Sequence, residues 1–132
     1  MKAFLDTSAL IDLLENEPSA RNEIDRLGTE ATFHTSAINL FELLRGLSDI
    51  EAGRKKGALD ALLANVEIID IDSEIATEAA RIYAELRAKG KQVNEADYII
   101  AASCAANGIR LIVTQNKKHF QNLHCFDKVI TY

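Results

Sequence analysis

Three acidic residues stand inside apolar segments, and an amide follows a fourth apolar run. Asp6 closes Ala3-Phe4-Leu5, and Leu10, Ile11, Leu13 and Leu14 follow at helical spacing. Glu42 lies within SAINLFELL, with Ile38 and Leu43 as neighbours on the helix. Asp97 precedes YIIAASCAA and shares a helical face with Ile100, Ala101 and Cys104. Thr114-Gln115-Asn116 follows a buried-strand pattern. Each has an ordinary use: Asp6 as a helix cap, Glu42 paired with Arg45, Asp97 at a helix dipole, Asn116 in a turn. Carboxylates removed from water need compensation, and carboxylates gathered together raise one another's pKa. A hard divalent cation answers both demands. Mg²⁺ and Mn²⁺ take oxygen ligands, keep waters and bridge phosphates. Asp6, Glu42, Asp97 and Asn116, on four segments, therefore read as a metal site for phosphoryl chemistry.

The elements that must position these residues alternate. A strand stops at Asp6, and Thr7 or Ser8 caps the first helix. Ser19 caps a second helix to Leu27, ended by Gly28. Ala31 to Thr35 is a second strand, and Ser36 caps a helix carrying Ile38, Leu40, Phe41, Leu43 and Leu44 that stops or bends at Gly46. Glu51 to Asn65 is a helix, Val66 to Ile71 a strand, and Ser73 to Ala88 a long amphipathic helix. Asn94 caps a helix from Glu95 to Asn107, which Gly108 ends. Arg110 to Thr114 and Val129 to Tyr132 are the last strands. This alternation predicts a three-layer α/β/α sandwich around a mostly parallel sheet of about five strands. Asp6 and Thr114-Asn116 then share the rim at the strands' carboxyl ends.

A chain of 132 residues with one proline suits a single domain spanning 1–132, without a linker. The net charge of −5 argues against general coating of nucleic acid and leaves room for a local basic groove. The longest apolar run, Tyr98 to Ala106, is about half the ~20 residues of a membrane span. The amino terminus does not read as a cleavable signal, since Asp6 and Asp12 interrupt it. Cys104 and Cys125 are too few for a disulfide framework, which suits a reducing cytoplasm. His34, His119 and His124 are scattered and read as ordinary histidines, not metal ligands.

The segments LDTSALIDLL, TSAINLFELLRG, EADYIIAASCAANG and RLIVTQNKKHF, in this order, resemble the PIN domain, and more closely the toxins of VapBC-type toxin–antitoxin pairs. The resemblance spans essentially the whole chain. It implies a Mg²⁺- or Mn²⁺-dependent endoribonuclease with Asp6, Glu42 and Asp97 as metal ligands and Asn116 at a fourth position that is often Asp. Thr114 matches a hydroxyl two residues before that position, with Thr7 and Ser8 as further supporting groups. Glu95 departs from the pattern beside Asp97 and reads as a water-mediated ligand or a surface residue. The expected reaction is in-line attack by an activated water, leaving a 5′-phosphate and a 3′-hydroxyl. Arg45, Lys117 and Lys118 lie beside the mapped positions and would guide single-stranded or looped RNA. The basic groups Arg54-Lys55-Lys56 and Lys89/Lys91 read as solvated faces. The family also implies a homodimer and an antitoxin partner. Apolar surface for such contacts is expected on the helix around Ile75 to Leu86 and at Leu13, Leu14, Leu43 and Leu44.

Two other readings compete. A phospho-receiver domain has the same alternation, with Asp70 or Asp72 as acceptor, but lacks an acidic pair after its first strand. A PIN-like module that binds RNA or protein without cutting is compatible with Asn116. No glycine-rich phosphate loop occurs.

Overall fold

The computed structural model describes all residues from Met1 to Tyr132. Its elements run β1 (Lys2–Leu5), α1 (Thr7–Leu14), α2 (Pro18–Leu27), β2 (Thr32–Ser36), α3 (Ala37–Arg45), α4 (Asp49–Arg54), α5 (Lys56–Ala64), β3 (Val66–Ile69), α6 (Ser73–Ala88), α7 (Glu95–Ala106), β4 (Leu111–Val113), α8 (Lys117–Phe120) and β5 (Lys128–Ile130). The strands form one sheet in the order β3-β2-β1-β4-β5, and every pairing is parallel.

Side chains alternate across the sheet and feed two cores. Phe4 and Ile112 pack on one side with Ile75, Ala79 and Leu86 of α6 and Ile100, Ala101 and Cys104 of α7. Leu5 and Val113 pack on the other with Leu10, Leu13 and Leu14 of α1 and Leu43 of α3. Burial on both faces is why the strands read as apolar runs. Each of these large side chains contributes about 1.5–3 kcal/mol by leaving water.

Strand order decides where a site can form. Connections leave β1 toward β2 on one side, while β4 lies on its other side, so the topology reverses between β1 and β4. The crevice at such a reversal, beyond the carboxyl ends of the strands, is where open α/β sheets bind ligands. Asp6 follows β1 and Thr114 follows β4. A phospho-receiver sheet has its third strand beside the first, whereas here β3 lies beyond β2. Asp72 is also occupied, since its Oδ1 accepts the Ile75 N–H at 2.9 Å as the cap of α6. Both features remove the receiver reading.

Several local expectations are corrected. The cap position of α1 is Asp6, not Thr7 or Ser8, because those two hydroxyls are engaged across the fold. Pro18 opens α2 at its first position, where a missing N–H costs nothing, and Ser19 bonds Glu17 Oε1 instead of capping. The expected helix from Glu51 to Asn65 is two helices meeting at Lys55, the first starting at a Ser48/Glu51 capping box. Asn94 precedes α7 without a side-chain cap bond. Leu13, Leu14 and Leu43 are core residues and offer no interface, and from the same expectation Leu44 and Tyr83 remain exposed.

Candidate active site

Asp6 is 6% exposed, and its carboxylate accepts no backbone N–H of α1 although it occupies the cap position. Its oxygens are used across the fold. Asn39 Nδ2 donates to Asp6 Oδ1 at 3.2 Å, and Thr114 Oγ1 donates to Oδ2 at 2.7 Å. Ser8 Oγ stands 3.5 Å from Oδ2 and 3.4 Å from Thr114 Oγ1, and accepts the Gln115 N–H at 2.9 Å. Helix capping is therefore not the role of this side chain.

Glu42 is drawn to the same crevice by Thr7, whose Oγ1 donates to Glu42 Oε1 at 3.0 Å. Thr7 in turn accepts from Asn39 Nδ2 at 2.9 Å. Asn39 is fully buried and completes its bonding by accepting Ser36 Oγ–H at Oδ1, 2.6 Å away. Ser36 also caps α3 by accepting the Asn39 N–H at 3.3 Å. Glu42 forms no ion pair with Arg45; the Arg45 guanidinium lies 5.0 Å over the Phe41 ring instead.

Asp97 enters from the first turn of α7 and is 5% exposed. Its Oδ2 is buried and accepts no hydrogen bond. His119 Nδ1 stands 3.1 Å from that oxygen, out of line for an N–H bond. Burial pushes the Asp97 carboxyl up to about 6; His119 opposes the shift, and the charges of Asp6 and Glu42 add to it. Asp6, Glu42 and Asp97 thus lie within mutual electrostatic reach.

Asn116 is held only by its backbone. Its N–H donates to Thr114 Oγ1 at 2.9 Å, while its exposed side chain makes no hydrogen bond within the chain. Glu95, Lys117 and Lys118 are exposed and unpaired. Lys55 pairs with Glu15 and Lys56 with Asp60, in keeping with a solvated face. An apolar-lined cleft of about 780 Å³ lies elsewhere: Phe33, Leu62 and Val66 line it at the amino-terminal ends of β2 and β3. It is predominantly apolar, and the buried carboxylates mark the chemistry better than cavity size does.

No three His, Cys, Asp or Glu side chains stand close enough together to cage an ion by themselves. Mg²⁺ does not require such a cage, because it is commonly held by one or two carboxylates with waters and substrate oxygens completing its shell. The unpartnered Asp97 oxygen, beside two further carboxylates, fits an ion of that kind.

The PIN domain family model matches residues 3–124. The chain belongs to the PIN-domain family. Among curated relatives of this PIN domain, Ribonuclease VapC1 of Methanocaldococcus jannaschii is 33% identical over 125 residues, covering 95% of this chain and 83% of that protein. The tRNA(fMet)-specific endonuclease VapC of Salmonella typhimurium is 29% identical over 124 residues, covering 93% and 92%. Among solved structures, VapBC2 from Rickettsia felis bound to a promoter DNA fragment superposes with a TM-score of 0.84 at 25% identity, covering 100% of this chain and 99% of that one. DNA-bound VapBC from Salmonella typhimurium gives 0.81 at 27%, covering 99% and 98%. No helix of this PIN domain is long and apolar enough to cross a membrane.

Two residues of the site escape the sequence reading. Asn39 carries a signal, since a buried amide lies one turn before Glu42 and three residues after the cap Ser36. His119 carries none, because nothing in the order of residues pairs it with Asp97.

Proposed function

We propose that this PIN domain is a Mg²⁺- or Mn²⁺-dependent endoribonuclease and the toxin of a toxin–antitoxin pair, acting in the cytoplasm. The observation that carries the reading is the buried Asp97 Oδ2, which accepts no hydrogen bond and lies within electrostatic reach of Asp6 and Glu42. The ribonuclease and endonuclease names of its relatives support RNA as substrate.

Asp6, Glu42 and Asp97 would hold the ion, directly or through its waters, and the bound ion would supply Lewis acidity to acidify a water and to neutralise charge on the scissile phosphate. The chain's own residues do the rest. Thr114 and Asn39 orient Asp6 from either side, and Thr7 orients Glu42. Asn116 offers an uncommitted amide at the mouth of the crevice. Lys117, Lys118 and Arg45 neutralise backbone phosphates of a single-stranded or looped RNA. Attack in line with the departing 3′-oxygen leaves a 5′-phosphate and a 3′-hydroxyl.

The antitoxin is proposed from the solved complexes, which pair the toxin with its partner. Phe41 and Leu44 of α3 and Ile50 of α4 are exposed and suit contacts with that protein or with a second copy of this chain. Light scattering on the purified chain reads the homodimer directly.

The test is cleavage of a structured RNA by wild type and Asp6→Asn, with Mg²⁺, with Mn²⁺ and with excess EDTA. Cleavage by wild type alone, in metal alone, with 5′-phosphate products, is expected. Wild type that binds RNA but never cuts it makes the domain a binding module, and cleavage surviving in EDTA removes the metal mechanism.

A further inference from the structure

His119 and Asp97 come from different elements, α8 and α7, and face one another at the acidic crevice. The approach is 3.1 Å between Nδ1 and Oδ2, yet Oδ2 receives no hydrogen bond. An imidazole placed only to quench the carboxylate would aim its N–H along that line. Two donors about 2.1–2.2 Å from one octahedral ion stand about 3.0–3.1 Å apart, which is the separation found here.

The imidazole is also carried to this place by the site itself. Thr114 Oγ1 donates to Asp6 and accepts the Asn116 N–H, and Asn116 O accepts the His119 N–H at 3.0 Å. This chain of bonds ties the turn of α8 to Asp6. The ring makes no hydrogen bond within the protein and lies 6.2 Å from the Phe120 ring. Its side chain is 41% exposed, so an ion and its waters can reach it, while that of Asp97 is 8% exposed.

We propose that His119 Nδ1 and Asp97 Oδ2 bind the same divalent ion, so that the site takes Mn²⁺ in preference to Mg²⁺. This rests on the metal-dependent reading above. Mn²⁺ is the least nitrogen-seeking of the first-row transition ions, yet it accepts a neutral imidazole more readily than Mg²⁺, which favours an all-oxygen shell and gains little from a nitrogen donor. A nitrogen ligand thus converts a general hard-ion site into one that discriminates.

The experiment uses the tag-free full chain with Mn²⁺ alone, by pulsed electron paramagnetic resonance, and with Mn²⁺ or Mg²⁺ by calorimetry. Wild type should show ¹⁴N modulation from a single imidazole, and His119→Ala should lose it. His119→Ala should weaken Mn²⁺ binding by about tenfold or more and Mg²⁺ binding by much less. His119→Asp restores an oxygen donor and should hold Mg²⁺ at least as well as wild type, again without the nitrogen signal. Melting of both variants in EDTA checks the fold. Bound Mn²⁺ without ¹⁴N modulation in wild type, or modulation persisting in His119→Ala, overturns the shared ligation and leaves the metal-dependent reading standing. Wild type that binds no Mn²⁺ overturns both.

Discussion

Asn39 Nδ2 bridges Asp6 Oδ1 and Thr7 Oγ1, at 3.2 Å and 2.9 Å, from a fully buried position. One amide on α3 thereby orients the carboxylate after β1 and, through Thr7, the carboxylate of Glu42 one turn along its own helix. Removing it strands a buried carboxylate oxygen and the Ser36 hydroxyl at once. Asn39→Ala should cost about 2–4 kcal/mol of stability by urea unfolding, since each lost partner costs about 1–3 kcal/mol. Cleavage should fall even at temperatures where the variant stays folded. A variant with wild-type rates would show that the bridge does not orient the acids.

Asp97 carries the cost of being ready for a cation. Its folded carboxyl titrates near 6 against an ordinary value of 3.8, so the folded state holds a proton that the unfolded chain has released. Where that holds, stability falls as pH rises, here from about pH 4 to about pH 6, and stays low above. Asp97→Asn removes this slope. In EDTA at pH 7 it should be more stable than wild type by on the order of 2 kcal/mol, while cutting no RNA. Thermal melts across pH with and without Mn²⁺ check both halves, and a variant less stable than wild type at pH 7 in EDTA would contradict the assignment.

Thr114 joins Asp6 to the turn that carries Asn116. Thr114→Val keeps the shape and deletes both bonds together with the contact to Ser8 Oγ. The expected outcome is a loss of about 10–100-fold in metal affinity, read as a higher Mn²⁺ requirement for cleavage. Saturating Mn²⁺ should recover most of the rate. An unchanged metal requirement would mean that Asn39 and Ser8 suffice to orient Asp6.

Lys117 and Lys118 are exposed and form no ion pair. Exchanging both for Gln should leave melting temperature unchanged and weaken RNA binding for every sequence alike. The salt dependence of log K should flatten by roughly 0.7 per lysine that meets a phosphate of single-stranded RNA. Binding curves of catalytically silent Asp6→Asn, with and without the lysines, from low to high salt, provide the measurement. Parallel salt slopes would place the RNA elsewhere.

Read from the order of residues alone, the chain already discloses its alternating elements, its parallel sheet and the acids set among apolar neighbours. These follow from short-range rules: strand and helix periodicity, caps, and the cost of placing Asp6, Glu42 and Asp97 where a core belongs. What local rules cannot supply is direction. That Asp6 spends its oxygens on Asn39 and Thr114, and not on the helix it precedes, depends on residues 33 and 108 positions away. The commitment of Thr7 and Ser8 to distant partners is likewise an outcome of packing. His119 shows the limit most plainly. Its meeting with Asp97 arises because β4 lies beside β1 and the Thr114–Asn116 turn folds back onto Asp6, a consequence of strand order that no spacing along the chain encodes.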